Sequence, residues 1–281
     1  MWFVPELSSP ATTLILLIMN NEVEKISVFR YTGESENVTE DVVVREVPLT
    51  IVLDGHELVT LLCSPSYLDY LAIGFLYSEG LICSKDEVKQ VSVDDVRGVV
   101  HVETFRHKTD TGEVVKRYIG SSGGRGLSLY ASSSTGGLPK VDSSLRVTAS
   151  EIMSLHHEFQ HHSEIFLATG GVHSAALCDS KNILVFAEDV GRHNAIDKIL
   201  GKCLMEGIST RDRIIAASCR ISSEILIKVA KRNIPVLTSK SAPTDLGVKL
   251  AKDTGVTLIG FVRGQRMNVY ANEWRLNDAR R

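Results

Sequence analysis

The chain has 281 residues, 31 Lys and Arg against 34 Asp and Glu for a formal net charge of −3, and 43% hydrophobic with 23% charged residues. That length allows a sizeable core and two domains, and the charge balance lacks the basic excess that nucleic acid or an anionic membrane would demand. The five cysteines (Cys63, Cys83, Cys178, Cys203, Cys219) are odd in number and form no C-x-x-C, so neither a disulfide framework nor a zinc knuckle is indicated and a cytoplasmic location fits best.

The first twenty residues hold an apolar run, Ala11 to Met19, too short to span a bilayer and without the basic flank of a signal peptide. Translation starting at Met19 instead of Met1 would give an ordinary polar amino terminus. Val42 to Leu53 is rich in β-branched residues and reads as a strand, Asp54-Gly55 as a turn, and Glu57 to Leu62 as the returning strand. Ser64-Pro65 opens a helix carrying Leu68, Leu71, Ala72 and Phe75 on one face before Gly80 ends it. Short strands follow at Val88 to Val93, Val99 to Phe105 and Glu113 to Ile119. Gly120 to Val141 is dense in Gly and Ser, marking a loop and a domain boundary. The expected division is an α+β domain over 20–141 and an α/β domain over 142–281.

In the second half Thr148-Ala-Ser-Glu151 has capping-box form and starts a helix to about His162. Thereafter strands and helices alternate: strands near His173 to Leu177, Ile183 to Ala187, Arg213 to Ala217, Pro235 to Leu237 and Val256 to Val262, with helices at Arg192 to Met205, Ser222 to Ala230 and Thr244 to Asp253. Such alternation predicts a largely parallel sheet with helices on both faces. Each strand from Ile183 onward ends in a polar turn, and in a parallel sheet these turns share one edge, where ligands bind. They would gather Asp189, Arg192, His193, Arg220, Lys240, Arg263 and Arg266 beside hydroxyls and helix amino termini, an arrangement suited to phosphate. Neither G-x-G-x-x-G after a strand nor G-x-x-x-x-G-K-[ST] occurs, so the common dinucleotide and P-loop solutions are not used. His157-Glu158-Phe159-Gln160-His161 spells H-E-x-x-H, which in a zinc hydrolase would place His157 and His161 on the metal; no third ligand stands out, and the neighbouring His156 and His162 suggest a His-rich surface instead. His173, after Thr169-Gly170-Gly171-Val172, is either a pocket residue or a core histidine.

The segments Glu188 to Lys198, Thr169 to Ala175, Ser218 to Glu224 and Leu258 to Arg266, with the Leu68 to Gly80 helix, together resemble the formate dehydrogenase accessory proteins, the FdhD/NarQ sulfur carriers. The resemblance runs from about Glu40 to Tyr270, with the motifs in the family's order. It implies a carboxyl-terminal three-layer α/β domain similar to cytidine deaminases but without their zinc signature, which is absent here. It also implies a protein that receives sulfur from a cysteine desulfurase and passes it to the molybdenum bis(molybdopterin guanine dinucleotide) cofactor, bound as cargo, before that cofactor enters formate dehydrogenase. The family's cofactor-binding segment falls by position on Phe261, Val262, Arg263, Gly264, Gln265 and Arg266. A homodimer is the expected assembly, symmetric pairs being commonest. One departure stands out: where the family carries a persulfide cysteine, this chain reads Ser121-Ser122-Gly123-Gly124-Arg125-Gly126, and glycine cannot hold sulfur. Either Cys219, beside Arg220, substitutes as the thiolate, or the chain is a thiol-less paralogue that only carries the cofactor.

Overall fold

The computed structural model describes residues 21–33, 35–106, 117–119 and 138–277; the Gly/Ser-rich loop expected at 120–141 lies mostly outside them. Three sheets are present among the described residues. The first is a ribbon of β1 (Val23–Thr32) and β2 (Ser35–Val44), antiparallel over ten residues each. The second holds β3 (Val47–Leu53), β4 (His56–Cys63), β5 (Val88–Asp94), β6 (Val99–Thr104) and β7 (Arg117–Ile119) in the order β5-β6-β3-β4-β7. The third holds β8 (His173–Cys178), β9 (Ile183–Asp189), β10 (Ile214–Ala217), β11 (Val236–Ser239), β12 (Thr257–Arg263) and β13 (Arg266–Ala271) in the order β13-β12-β11-β10-β8-β9.

The strand expected over Val42 to Leu53 is two strands, broken at Arg45 and Glu46 where the chain passes from ribbon to sheet. The ribbon was hidden because most of its side chains face solvent; only its base, Val23, Val42 and Val44, packs against Ile165, Phe166 and Val172. The third sheet is mixed rather than largely parallel. Its β10–β11 and β11–β12 pairs are parallel, but β8–β9, β8–β10 and β12–β13 are antiparallel. The reason is connection length. Between β8 and β9 there is only a tight turn in which Asp179 Oδ1 accepts the N–H groups of Lys181 and Asn182, both at 2.7 Å, far too short for the helical crossover a parallel pair needs. Strand β9 is antiparallel to β8, and β8 to β10, so β9, β10, β11 and β12 nevertheless run in the same direction and end at one rim.

Helices cover this sheet on both faces. On one side α4 (Arg192–Glu206), α5 (Ser223–Lys231) and α6 (Asp245–Thr254) pack Ile196, Ile199, Ile225, Leu226 and Leu250 onto Leu177, Val185, Ile215, Leu237 and Leu258. On the other, α2 (Ala149–His161) packs Ile152, Leu155 and Phe159 onto Ala176, Ala216, Val236 and Ile259. Its start is the expected capping box, Thr148 with Glu151. The short α3 (Glu164–Thr169) follows, capped by Ser163. Helix α1 (Leu68–Glu79) is buried nearly all round, the signature of a helix held between two layers: one side meets the β3–β4–β6 core and the other crosses α4. At that crossing a Cβ on Gly74 would stand 1.7 Å from the Asp197 carbonyl oxygen, and one on Gly201 1.9 Å from that of Tyr70. Only glycine allows such an approach.

Buried polar bonds lock the same contact. Asp189 pairs with Lys198 at 2.8 Å and accepts N–H bonds from Ser64, at the entry to α1, and from Gly191. Asp197 pairs with Lys228 at 2.6 Å while Ser78 of α1 donates to it at 2.7 Å. Gly201→Ala is expected to cost about 3 kcal/mol or more, the upper range for overpacking, because backbone rather than a mobile side chain obstructs the methyl. Urea denaturation checks it; a midpoint within error of the parent chain would contradict the contact.

Candidate functional site

The rim formed by the ends of β9 to β12 brings together most of the expected cationic residues. Arg192 and His193 open α4 directly after β9; Arg220 lies between β10 and α5; Lys240 follows β11; Arg263 ends β12 and faces Arg266 across a turn made by Gly264 and Gln265. Gly264 has φ +55°, and Arg263, Gly264, Gln265 and Arg266 are all exposed. Arg263 Nε donates to the Lys240 carbonyl at 3.2 Å, tying β12 to the β11 exit. Burial lowers the Lys240 ammonium pKa, and nearby Arg263 lowers it further: two cations crowd each other there. Phe261 adopts φ +53°, a left-handed backbone that a bulky residue rarely takes and that tends to be kept at binding sites. Its amide bonds the Ser241 carbonyl at 3.1 Å, and the Arg263 guanidinium lies 5.7 Å from its ring centroid. Val262 is buried at 1% exposure and serves the core.

Asp189 departs from the expectation. It is fully buried at 0% exposure, and the bonds to Lys198, Ser64, Gly191 and Asn194 occupy both its oxygens. It fixes the turn from which Arg192 and His193 emerge and does not face the rim. Glu188 also turns inward, to the Ser163 hydroxyl at the start of α3, and burial raises its carboxyl to about 7. Two hydroxyls of the turns are likewise engaged: Ser218 accepts the Ser174 N–H at 2.9 Å, and Ser239 donates to the Cys219 carbonyl at 2.6 Å.

Sequence reasoning missed Glu224, which meets His193 Nε2 at 3.0 Å; an acidic residue in the first turn of a helix was the available signal. The hydrogen bond from His193 holds the Glu224 carboxyl below its ordinary range. His173 stands opposite Asp189 at the start of β8, and burial, then the Arg192 charge, lowers its pKa. The His-rich surface read from His156 to His162 is only partly a surface. His156 is buried at 2% exposure, with Nε2 bonded to Thr238 Oγ1 at 2.7 Å, and burial lowers it to about 3. His157 and His161 are exposed neighbours with ring centroids 4.9 Å apart, and no group of three or more His, Cys, Asp or Glu among the described residues is placed to hold a metal.

Cys219 does reach the rim but not as a thiolate. It is 3% exposed, and burial pushes its thiol up to about 11, overcoming the opposing pull of Arg192 and Arg220. Burial likewise pushes Cys63, Cys178 and Cys203 up to about 12; Cys83 alone among the five is exposed. Away from the rim, a cavity of about 270 Å³ is lined by Tyr77, Cys203, Gly207, Thr210, Arg211 and Arg232 among others. No helix among the described residues is long and apolar enough to cross a membrane.

Comparison with known proteins supplies the context. Residues 44–277 match the family model described as FdhD/NarQ. The sulfur carrier protein FdhD of Bacillus subtilis (strain 168) is 40% identical over 262 residues, 92% of this chain and 100% of that protein. The protein of the same name from Staphylococcus aureus (strain MRSA252) is 41% identical over 253 residues, 90% of this chain and 96% of that one. A crystal structure from Desulfotalea psychrophila, described as a candidate formate dehydrogenase accessory protein, superposes with a TM-score of 0.73 at 25% identity, covering 91% of this chain and 99% of that one.

Reactivity separates the thiols. Native protein treated with iodoacetamide near pH 8 is expected to be alkylated at Cys83 alone, since thiolate fraction and access govern the rate. Rapid labelling of Cys219 before unfolding, read by peptide mass spectrometry, would contradict its placement.

Proposed function

We propose, from the premise that this chain belongs to the FdhD/NarQ family, that it serves formate dehydrogenase maturation as a sulfur-carrier-type accessory protein. In this reading its rim binds the guanine-dinucleotide form of the molybdenum cofactor as cargo, with a cysteine desulfurase and formate dehydrogenase as partners and a homodimer as its assembly. One observation carries the reading: four strands of common direction deliver Arg192, Arg220, Lys240 and Arg263 to one rim, with Arg266 across the turn. A diphosphate would relieve the crowding of Lys240 by Arg263 and accept forked bonds from both hairpin guanidiniums. The left-handed Gly264 lets the backbone come close to such a ligand, and Phe261 offers an aromatic face beside it for a purine or pterin ring.

A second reading is favoured by the thiols. The loop at Gly123 and Gly124 has no cysteine, and Cys219 is buried with its pKa raised. On that reading the chain binds and shelters the cofactor while sulfur is loaded elsewhere. Mass spectrometry after incubation with a cysteine desulfurase and cysteine distinguishes the two: a persulfide on this chain supports the carrier, and its absence supports the shelter.

The binding claim common to both is tested by calorimetry with GDP. Saturable binding is expected, and Arg263→Ala with Arg266→Ala should weaken it by about a hundredfold, the combined size of two lost charge-assisted bonds. Unchanged affinity in that variant would remove the site.

A further inference from the structure

The ribbon is a sheet of only two strands, so β1 and β2 each have an outer edge with no partner strand among the described residues. Side chains alternate between its faces, and the register places Val23, Phe29 and Tyr31 of β1 on one face with Val44, Val42 and Val38 of β2. At the base that face is covered by Ile165, Phe166 and Val172. Farther out it is bare: Phe29 is 65% exposed, Tyr31 73% and Val38 61%, with the rings of Phe29 and Tyr31 6.5 Å apart. A lone two-stranded hairpin is marginally stable in water and gains from further strands. The unpaired N–H and C=O groups of its edges are a template for one.

The side chains along the two edges indicate which strand fits. Laid antiparallel against itself about Ser27, β1 sets Glu24 opposite Arg30 of the second copy, Ile26 opposite Val28, Lys25 opposite Phe29 and Val23 opposite Tyr31. Symmetry makes each of these matches twice. Opposite charges and apolar pairs directly across a ladder are favourable, as is an ammonium beside an aromatic ring. Moving the centre by one residue sets Glu24 against Val28 or Thr32, and the match is lost. The β2 edge has no such register: about Val38, Glu36 meets Glu40; about Thr39, Glu36 meets Val42; and about Glu40, that residue meets itself. Glu24 and Lys25 stand exposed. Arg30 meets Asp41 at 3.3 Å with both side chains 42% exposed, and its five N–H donors leave some over for a second carboxylate.

We propose that the outer edge of β1 is the contact between two copies of this chain. The two ribbons join into one four-stranded antiparallel sheet, in the order β2-β1-β1-β2, about a two-fold axis at Ser27. Such a contact is isologous and closed, so it ends at two copies. The proposal rests on the homodimer of the reading above and deepens it by saying where the copies meet. Phe29 and Tyr31 of each copy come to lie beside Lys25 and Val23 of the other, which covers part of the aromatic surface left bare in the single chain. An interface built on one strand edge is small, and dissociation at roughly micromolar concentration is expected.

Sedimentation of the full chain over a range of concentrations should show this reversible dimer. Glu24→Arg and Arg30→Glu, each alone, place like charges opposite one another twice and should weaken it about tenfold or more. Mixed in equal amounts, the two variants should recover the parent affinity, because the reversed charges then face each other; a chain that had merely lost its fold would gain nothing from mixing. Ser27→Cys, on the axis, should cross-link the two copies under mild oxidation, since residues directly opposite in a ladder stand about 4.5–5.5 Å apart. The parent chain, in which Cys83 is the exposed thiol, is the control. A dimer unmoved by either reversal, unrecovered on mixing or free of the Ser27→Cys cross-link overturns this contact and leaves the homodimer standing. A monomer at every concentration overturns both. GDP calorimetry at the rim stands or falls apart from either.

Discussion

The crossing of α1 and α4 at Gly74 and Gly201 is the constraint on which the rest of the molecule depends. Backbone meets backbone there, with no room for a methyl group, so the five-stranded sheet and the six-stranded sheet are joined through two helices and not through a compliant side-chain layer. The approach also encloses two lysines and two aspartates. A buried ion pair contributes little net stability, yet removing one partner strands the other charge at a cost of about 3–5 kcal/mol. Lys198 with Asp189 and Lys228 with Asp197 pair within the six-stranded unit, and each aspartate also takes a bond from the α1 side, from the Ser64 amide or the Ser78 hydroxyl.

That arrangement explains how eleven consecutive residues, Glu188 to Lys198, divide their work. Asp189, Asn194, Asp197 and Lys198 are buried and hold the frame, while Arg192 and His193 emerge between them toward the rim. The Asn194 amide spans the two units, donating to the Leu62 carbonyl at 2.9 Å and to Asp189 at 2.8 Å. Arg192 and His193 are thus set in a turn whose buried Asp189 and Asn194 already have their partners, which holds the turn in one arrangement.

Much of this was legible in the sequence where period and punctuation agree. The capping box at Thr148, the Ser222 and Thr244 helix starts and the apolar strands from Ile183 onward follow from local rules, and the shared rim follows from strand direction. Three kinds of feature did not. The β1–β2 ribbon buries too little to show a two-residue period. The mixed character of the third sheet depends on a turn between Cys178 and Ile183 too short for a crossover, a matter of counting residues that the alternating pattern obscured. The inward role of Asp189 depends on Ser64, 125 positions earlier, and no local pattern records such a partner. The same holds for Glu224, whose position beside His193 arises only when two helix starts meet on one face of the sheet.

The thiol chemistry remains bounded by burial, because a sulfur carrier needs an accessible thiolate and the rim's one cysteine is interior. The more basic claim is that ligand phosphate belongs at the rim. A crystal structure of the chain with GDP tests it most directly. The account places the diphosphate against Lys240, Arg263 and Arg266 at the ends of β11 and β12; nucleotide density at the opposite cavity beside Tyr77 and Arg232, with the rim bare, would contradict it.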